Sequence, residues 1–215
     1  MLSKISIEGN IGSGKSSVIS RLCQDIRIPV FLEPVDEWKE WLTLFYKNPG
    51  RWGMSFNINV LLSFNKWKNN DFFAVYERSP ISNRYIFSQL QYDEGRMNIL
   101  EKKMFEQLYD QLAWTPDIII YIRTDPIVSM ERMKTRARQC ENEVPLEYLT
   151  AIHNKYENIF YNPLEFCKGF YRRLSEQYLI DKEKECMVIV VDGNRTHDEV
   201  YADVLSLVKS HMGKN

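Results

Sequence analysis

Apolar positions along the chain alternate between two patterns. Short, nearly unbroken apolar runs end in Gly, Pro, Asp or charged residues. They cover Lys4 to Glu8, Pro29 to Glu33, Phe72 to Glu77, Asp117 to Arg123 and Met187 to Asp192, and they read as strands buried on both faces. Between them the apolar spacing changes to three and four. From Ile99 to Trp114, the residues Leu100, Met104, Phe105, Leu108, Tyr109 and Leu112 make one helical stripe. Ser16 to Gln24, Asn57 to Trp67, Asp125 to Arg138, Leu146 to Phe160 and His197 to His211 also read as helices. Strands alternating with helices predict an α/β fold, a five-stranded parallel sheet covered on both faces, with residues 1–215 forming one domain. Ligands of such sheets lie beyond the carboxyl ends of the strands.

Composition narrows the field. The 215 residues are 44% hydrophobic, enough for one full core. Lys and Arg total 28 against 29 Asp and Glu, a net charge of −1. No global basic field is present to hold nucleic acid, so none is expected as a partner. The longest apolar runs, Ile118 to Ile122 and Met187 to Val191, are strand-sized, well short of the ~20 residues of a membrane span. The first strand begins by about Ser3, which leaves no room for a leader, and a cytoplasmic location is expected. Cys23, Cys140, Cys167 and Cys186 form no C-x-x-C pair and read as reduced thiols.

The strongest chemical signal follows the first strand. Gly9-Asn10-Ile11-Gly12-Ser13-Gly14-Lys15-Ser16 matches G-x-x-x-x-G-K-[ST] between a strand and a helix. In this motif, the P-loop, glycines let backbone N–H groups wrap a phosphate, and the helix N-terminus adds partial positive charge. Lys15 is expected on the β and γ oxygens of ATP and Ser16 on Mg²⁺, with Ser17 alongside.

Charged residues end two further strands. Phe31-Leu32-Glu33-Pro34 closes the second, and Pro34 biases Glu33 towards extended backbone. A carboxylate beside the cradle can take a proton from an attacking hydroxyl; the plain alternative is a solvated surface Glu. Tyr76-Glu77-Arg78-Ser79 closes the third strand. Glu77 is placed to reach the Mg²⁺ shell and Arg78 to hold Glu33 ionised, against the alternative of a structural ion pair. After the fourth strand, Arg132, Arg136 and Arg138 lie in a cation-rich helix that reads as an arginine-rich lid over about 132–145. A solvated basic face is the plain alternative there.

Taken in order, these motifs resemble the deoxynucleoside kinase family. The residues that carry the resemblance are Gly9-Asn-Ile-x-x-Gly14-Lys-Ser16, Glu33-Pro-Val-x-x-Trp38, Arg51-Trp52, Glu77-Arg78-Ser79, Arg84-Tyr-x-Phe87 and Val144-Pro-Leu-Glu-Tyr148. The resemblance implies the P-loop kinase fold, Glu33 as general base and Arg78 as its partner. It implies Tyr46 and Glu141 at the sugar 3′-hydroxyl, Phe87 stacked on the base, and Trp38 and Phe56 as pocket walls, positions that otherwise read as core packing. It puts the loop from Asp192 through Asn194 to Arg195 against adenine, and it implies a homodimer. Where the family has a base-pairing Gln, this chain has Asn57, one methylene shorter: either the base sits deeper, a water bridges the gap, or base reading is weaker. Where the deoxycytidine kinase pattern has an Arg and an Asp lining the base, it has Phe64 and Asn83, a lean towards thymidine or broad pyrimidine use.

The expected activity is transfer from ATP to the 5′-hydroxyl of a 2′-deoxynucleoside, serving nucleotide salvage. Two alternatives compete. A thymidylate kinase would bring a phosphorylated acceptor, which Glu33 would repel by ~4 kcal/mol per charge pair at 4 Å and an effective dielectric of 20. Leu32 supplies no cation against that. A non-catalytic accessory subunit would be expected to lose Lys15, Glu33, Arg78 or the lid arginines, and all are present.

Overall fold

The computed structural model describes residues 4–138, 144–161, 171–180 and 185–212. The five expected strands all form, and all pair in parallel. They are β1 (Lys4–Glu8), β2 (Val30–Phe31), β3 (Ala74–Glu77), β4 (Ile118–Arg123) and the strand at Met187–Asp192, here β6. A short strand that the apolar pattern does not reveal, β5 (Tyr171–Arg173), joins the edge antiparallel to β6. The sheet order is β2-β3-β1-β4-β6-β5, so β1, which carries the cradle, is central.

Alternation along β4 shows how the core is divided. Ile118, Ile120 and Ile122 pack with Ile5, Ile7, Val18, Leu22, Val204 and Val208 on the face covered by α1 (Lys15–Asp25) and α9 (His197–Met212). Ile119 and Tyr121 turn to the opposite face, against Ile81, Ile86, Leu90, Ile152, Tyr156 and Phe160. Period-two alternation in an almost wholly apolar strand is what burial on both faces requires.

Helix bounds differ from the sequence expectations where local caps decide them. The helix expected from Asn57 starts at Pro49 and forms α3 (Pro49–Asn65): the Asn48 side chain accepts from Arg51 N, and Pro49 occupies the first turn. The helix expected from Ile99 to Trp114 is α6 (Ile99–Leu112), closed by extended Ala113. Its stripe is split. Phe105 and Tyr109 are fully buried, but Leu100 and Met104 are exposed. Two helical stretches were not among the sequence expectations. One is α2 (Lys39–Lys47). The other is a continuous rod made of α4 (Pro80–Ser82), a π-helix (Asn83–Ser88) and α5 (Gln89–Asp93). The helices after β4 are α7 (Pro126–Arg136) and α8 (Leu146–Phe160). Among the described residues no helix is long and apolar enough to cross a membrane.

Candidate active site

The carboxyl ends of β1, β2 and β3 converge. From β1 the chain turns through the P-loop into α1, with Gly14 left-handed at the helix N-cap. A Cβ at Gly12 would stand 2.2 Å from the Ser129 carbonyl oxygen, and φ there is +76°, so only glycine lets α7 approach this closely. Lys15 is buried. Its ammonium donates to the Gly9 and Asn10 carbonyls at 2.9 and 2.6 Å and to Ser13 Oγ at 3.4 Å. Burial, and next the Arg78 charge, hold its pKa down to about 7. The Asn10 side chain is spent on structure: Nδ2 donates to Leu149 O at 2.9 Å, and Oδ1 accepts from Ile11 N at 2.8 Å. Its expected role at the phosphates is therefore left to its backbone.

Arg78 adopts left-handed backbone with φ 62°, uncommon for a side chain of this size. One guanidinium nitrogen, Nη1, pairs with Glu33 Oε2, Nη2 donates to Gly9 O at 3.1 Å, and Nε donates to the Tyr156 hydroxyl at 3.2 Å. Burial works against its charge, but Glu33 and Tyr156 outweigh that and hold its pKa above the usual value. Behind it lies a carboxylate that the sequence reading missed. Glu8 accepts from Ser79 Oγ at 2.7 Å, Ser6 Oγ at 3.1 Å and the Tyr156 hydroxyl at 3.2 Å. Burial pushes its pKa up, with the Ser79 hydroxyl and the Arg78 charge foremost in opposing it. An acidic residue closing a buried strand was a visible signal. Glu77 Oε1 accepts from Ser16 Oγ at 2.6 Å, and burial and then Glu33 raise its pKa. Ser16 and Glu77 therefore offer two hard oxygens at the cradle mouth, the donor type that Mg²⁺ takes. Among the described residues no group of three His, Cys, Asp or Glu could hold an ion unaided.

A cavity partly open to solvent gathers most of the expected residues. Gly12, Lys15, Ser16, Glu33, Glu77, Arg78, Arg136 and Arg138 line one part, and Trp38, Tyr46, Phe56, Asn57, Asn83 and Phe87 line the rest. The wall is anchored: Trp38 Nε1 donates to Ser63 Oγ at 3.0 Å, and the Arg78 guanidinium lies 5.1 Å from the Phe87 ring centre. Val35 of the Glu33-Pro-Val motif adds apolar surface, as do Leu42 and Val60, which no motif marked. Phe64, expected at the base, lies behind the wall instead, edge-on to Trp38 at 6.3 Å and fully buried. Of the two substitutions behind the lean towards thymidine, only Asn83 faces the cavity.

A second cavity adjoins the first at Gly12 and Arg136, and adds Ser13, Gly14, Ser17, Arg132 and His197. His197 opens α9 and carried no sequence signal. Arg132 donates to Ser13 O at 3.3 Å, Gly193 O at 2.8 Å and Arg195 O at 3.1 Å, pinning α7 to both the cradle and the loop after β6. That loop is folded by its own polar groups: Asp192 Oδ1 accepts from Asn194 N at 3.0 Å, and Asn194 Oδ1 accepts from Asp125 N at 2.9 Å. Asp192 and Asn194 line neither cavity. Glu141, expected at the sugar, and part of the expected lid lie outside the described residues.

Comparison with known proteins agrees with this geometry. The family model described as deoxynucleoside kinase matches residues 5–213. A putative kinase, protein 029R of invertebrate iridescent virus 3, is 35% identical over 73% of this chain and 82% of its own length. Human mitochondrial thymidine kinase 2 is 32% identical over 72% of this chain and 63% of its own. Human deoxycytidine kinase is 28% identical over 98% of this chain and 91% of its own. With a cradle for phosphate, a carboxylate beside it and a family match along nearly its whole length, the chain belongs to the deoxynucleoside kinase family and is a nucleoside kinase.

Proposed function

We propose that the chain transfers the γ-phosphoryl group of ATP to the 5′-hydroxyl of a 2′-deoxynucleoside, thymidine or a broad range of pyrimidines, and supplies 5′-monophosphates for nucleotide salvage. One observation carries the reading: Glu33 is ion-paired to Arg78 at the lip of an aromatic-walled cavity that also opens onto Lys15 and Ser16. An uncharged alcohol suits that lip. Glu33 takes the hydroxyl proton as the oxygen attacks, and Arg78, held by Tyr156 and Gly9, keeps the carboxylate in place. Trp38, Phe56 and Phe87 sandwich the base, and Tyr46 faces the sugar. Lys15 turns from the cradle carbonyls to the phosphate oxygens when nucleotide enters. Arg136 and Arg138 bring positive charge towards the moving phosphoryl group. Positioning and charge do most of the work in such a transfer.

Ser16 and Glu77 would hold Mg²⁺ through oxygen, with nucleotide oxygens and water completing the shell; the ion would supply charge neutralisation at the β and γ phosphates. We also propose a homodimer that packs through α3 and α6.

The test is Glu33→Gln. Its kcat on the preferred deoxynucleoside should fall ~10²–10⁴-fold, with nucleoside binding changed far less. Near-normal turnover would take the base role from Glu33. Assaying each deoxynucleoside beside its 5′-monophosphate separates this reading from a nucleotide kinase.

A further inference from the structure

Glu8 closes β1 yet lines neither cavity. It is fully buried, and so are Ser6, Ser79 and Tyr156, whose hydroxyls donate to it. Taking a carboxylate out of water is costly, and an apolar side chain of similar size would pack there without that cost. The bonds around Glu8 show what it holds: they reach Arg78 from two directions.

One direction is through the backbone. Arg78 keeps φ at 62°, and its amide donates to Ile7 O at 3.0 Å. The next residue, Ser79, donates its hydroxyl to Glu8 Oε1 at 2.7 Å. A left-handed arginine persists only where its surroundings enforce it. The other direction is through the side chain. Arg78 Nε donates to the Tyr156 hydroxyl at 3.2 Å, and that hydroxyl donates to Glu8 Oε2 at 3.2 Å. The sense of this chain is forced. A guanidinium can only donate, so the tyrosine oxygen accepts and its single proton is left for Glu8. The ring is held as well, with Tyr121 stacked on it at 5.4 Å and 8° and Phe160 at 5.7 Å. With Nε tied back, Nη1 is turned to Glu33 and Nη2 to Gly9 O.

We infer that Tyr156 and Glu8 act as one positioning unit for phosphoryl transfer: they set the plane of the Arg78 guanidinium, and through it the Glu33 carboxylate, without touching either substrate. The inference rests on the proposed role of Glu33 as general base. A guanidinium released at Nε would still pair with Glu33, but the pair could rock away from the line of attack. Misplacement of that kind lowers the rate of transfer more than it lowers binding. Neither Tyr156 nor Glu8 lines a cavity, so the surfaces that bind nucleoside and nucleotide stay as they are.

The test is Tyr156→Phe, which removes one oxygen and keeps the stacked ring. Its kcat should fall on the order of 10-fold, while KM for ATP and for the deoxynucleoside stays within about twofold of the wild type. Glu8→Gln has one acceptor oxygen where Glu has two, and should lower kcat similarly. The double variant should be about as slow as either single one, because both break the same chain. A thermal melt checks folding; if Glu8→Gln does not fold, Tyr156→Phe decides alone. Wild-type kcat in Tyr156→Phe overturns the inference. So do a loss that appears in KM instead, losses that multiply in the double variant, or a Tyr156→Phe chain that cannot fold. All of these leave the nucleoside kinase reading intact. Near-normal turnover by Glu33→Gln would remove the base role and this inference together.

Discussion

Arg78 joins three layers of the site: Glu33 in front, the cradle carbonyl of Gly9 beside it, and Tyr156 with Glu8 behind. At this scale the charges that end the second and third apolar runs drew attention to Glu33, Glu77 and Arg78, whereas Glu8, which ends the first, was passed over. The sequence was not legible where geometry does the work. No pattern announces that Arg78 is left-handed, or that Tyr156, about three turns into α8, hands its hydroxyl to a strand-end carboxylate. Two glycines offer a controlled test of close approach. Both have positive φ, but a Cβ at Gly95 meets nothing within 4 Å, whereas one at Gly12 meets the Ser129 carbonyl. Gly95→Ala should cost only the left-handed strain, ~1–2 kcal/mol. Gly12→Ala should cost more and should also weaken ATP binding, because α7 must move off the cradle. Urea midpoints and ATP titrations compare the two, and equal losses would mean that α7 is not tightly seated.

At the scale of elements, caps decided what periodicity left open. Asn98 and Glu101 form a reciprocal capping box at the start of α6: Asn98 Oδ1 accepts from Leu100 N and Glu101 N, and Glu101 Oε2 accepts from Asn98 N. This start is remote from both cavities. Asn98→Ala should therefore lower stability by ~1 kcal/mol and leave kcat/KM unchanged, as read by melting and steady-state assay. Similar capping at Asn48 lengthened α3 past its sequence estimate and carried Gly53, Phe56 and Asn57 into one element. The π-helix is the other element that periodicity could not show. Its wider turn is not written in apolar spacing, yet it presents both Asn83 and Phe87 to the cavity. Phe64 illustrates the reverse: sequence alignment of motifs put it at the base, but packing behind Trp38 removed it.

For the molecule as a whole, the fold class and the five parallel strands were readable because buried parallel strands are nearly continuous apolar runs. The antiparallel edge strand β5 was not, since three residues carry no usable pattern. The exposed side of α6 also has a meaning only at this scale. Leu100 is 72% exposed, and Ile99, Met104 and, on neighbouring α3, Leu62 are about half exposed. Clustered apolar exposure of this kind marks contact surfaces. Light scattering should find a dimer at micromolar concentration, and Leu100→Glu should shift it to monomer with the fold retained. A wild-type chain that stays monomeric would end the proposed assembly.

The central position of β1 divides the labour of the sheet. On one flank, β2 and β3 lead to Glu33, Glu77 and Arg78, which face the proposed alcohol site. On the other, β4 and β6 lead into α7 and the loop that Arg132 clasps to the cradle. A mutation that redraws the alcohol pocket therefore need not disturb the grip on the triphosphate. Such a scaffold can drift among acceptors while its donor half stays constant.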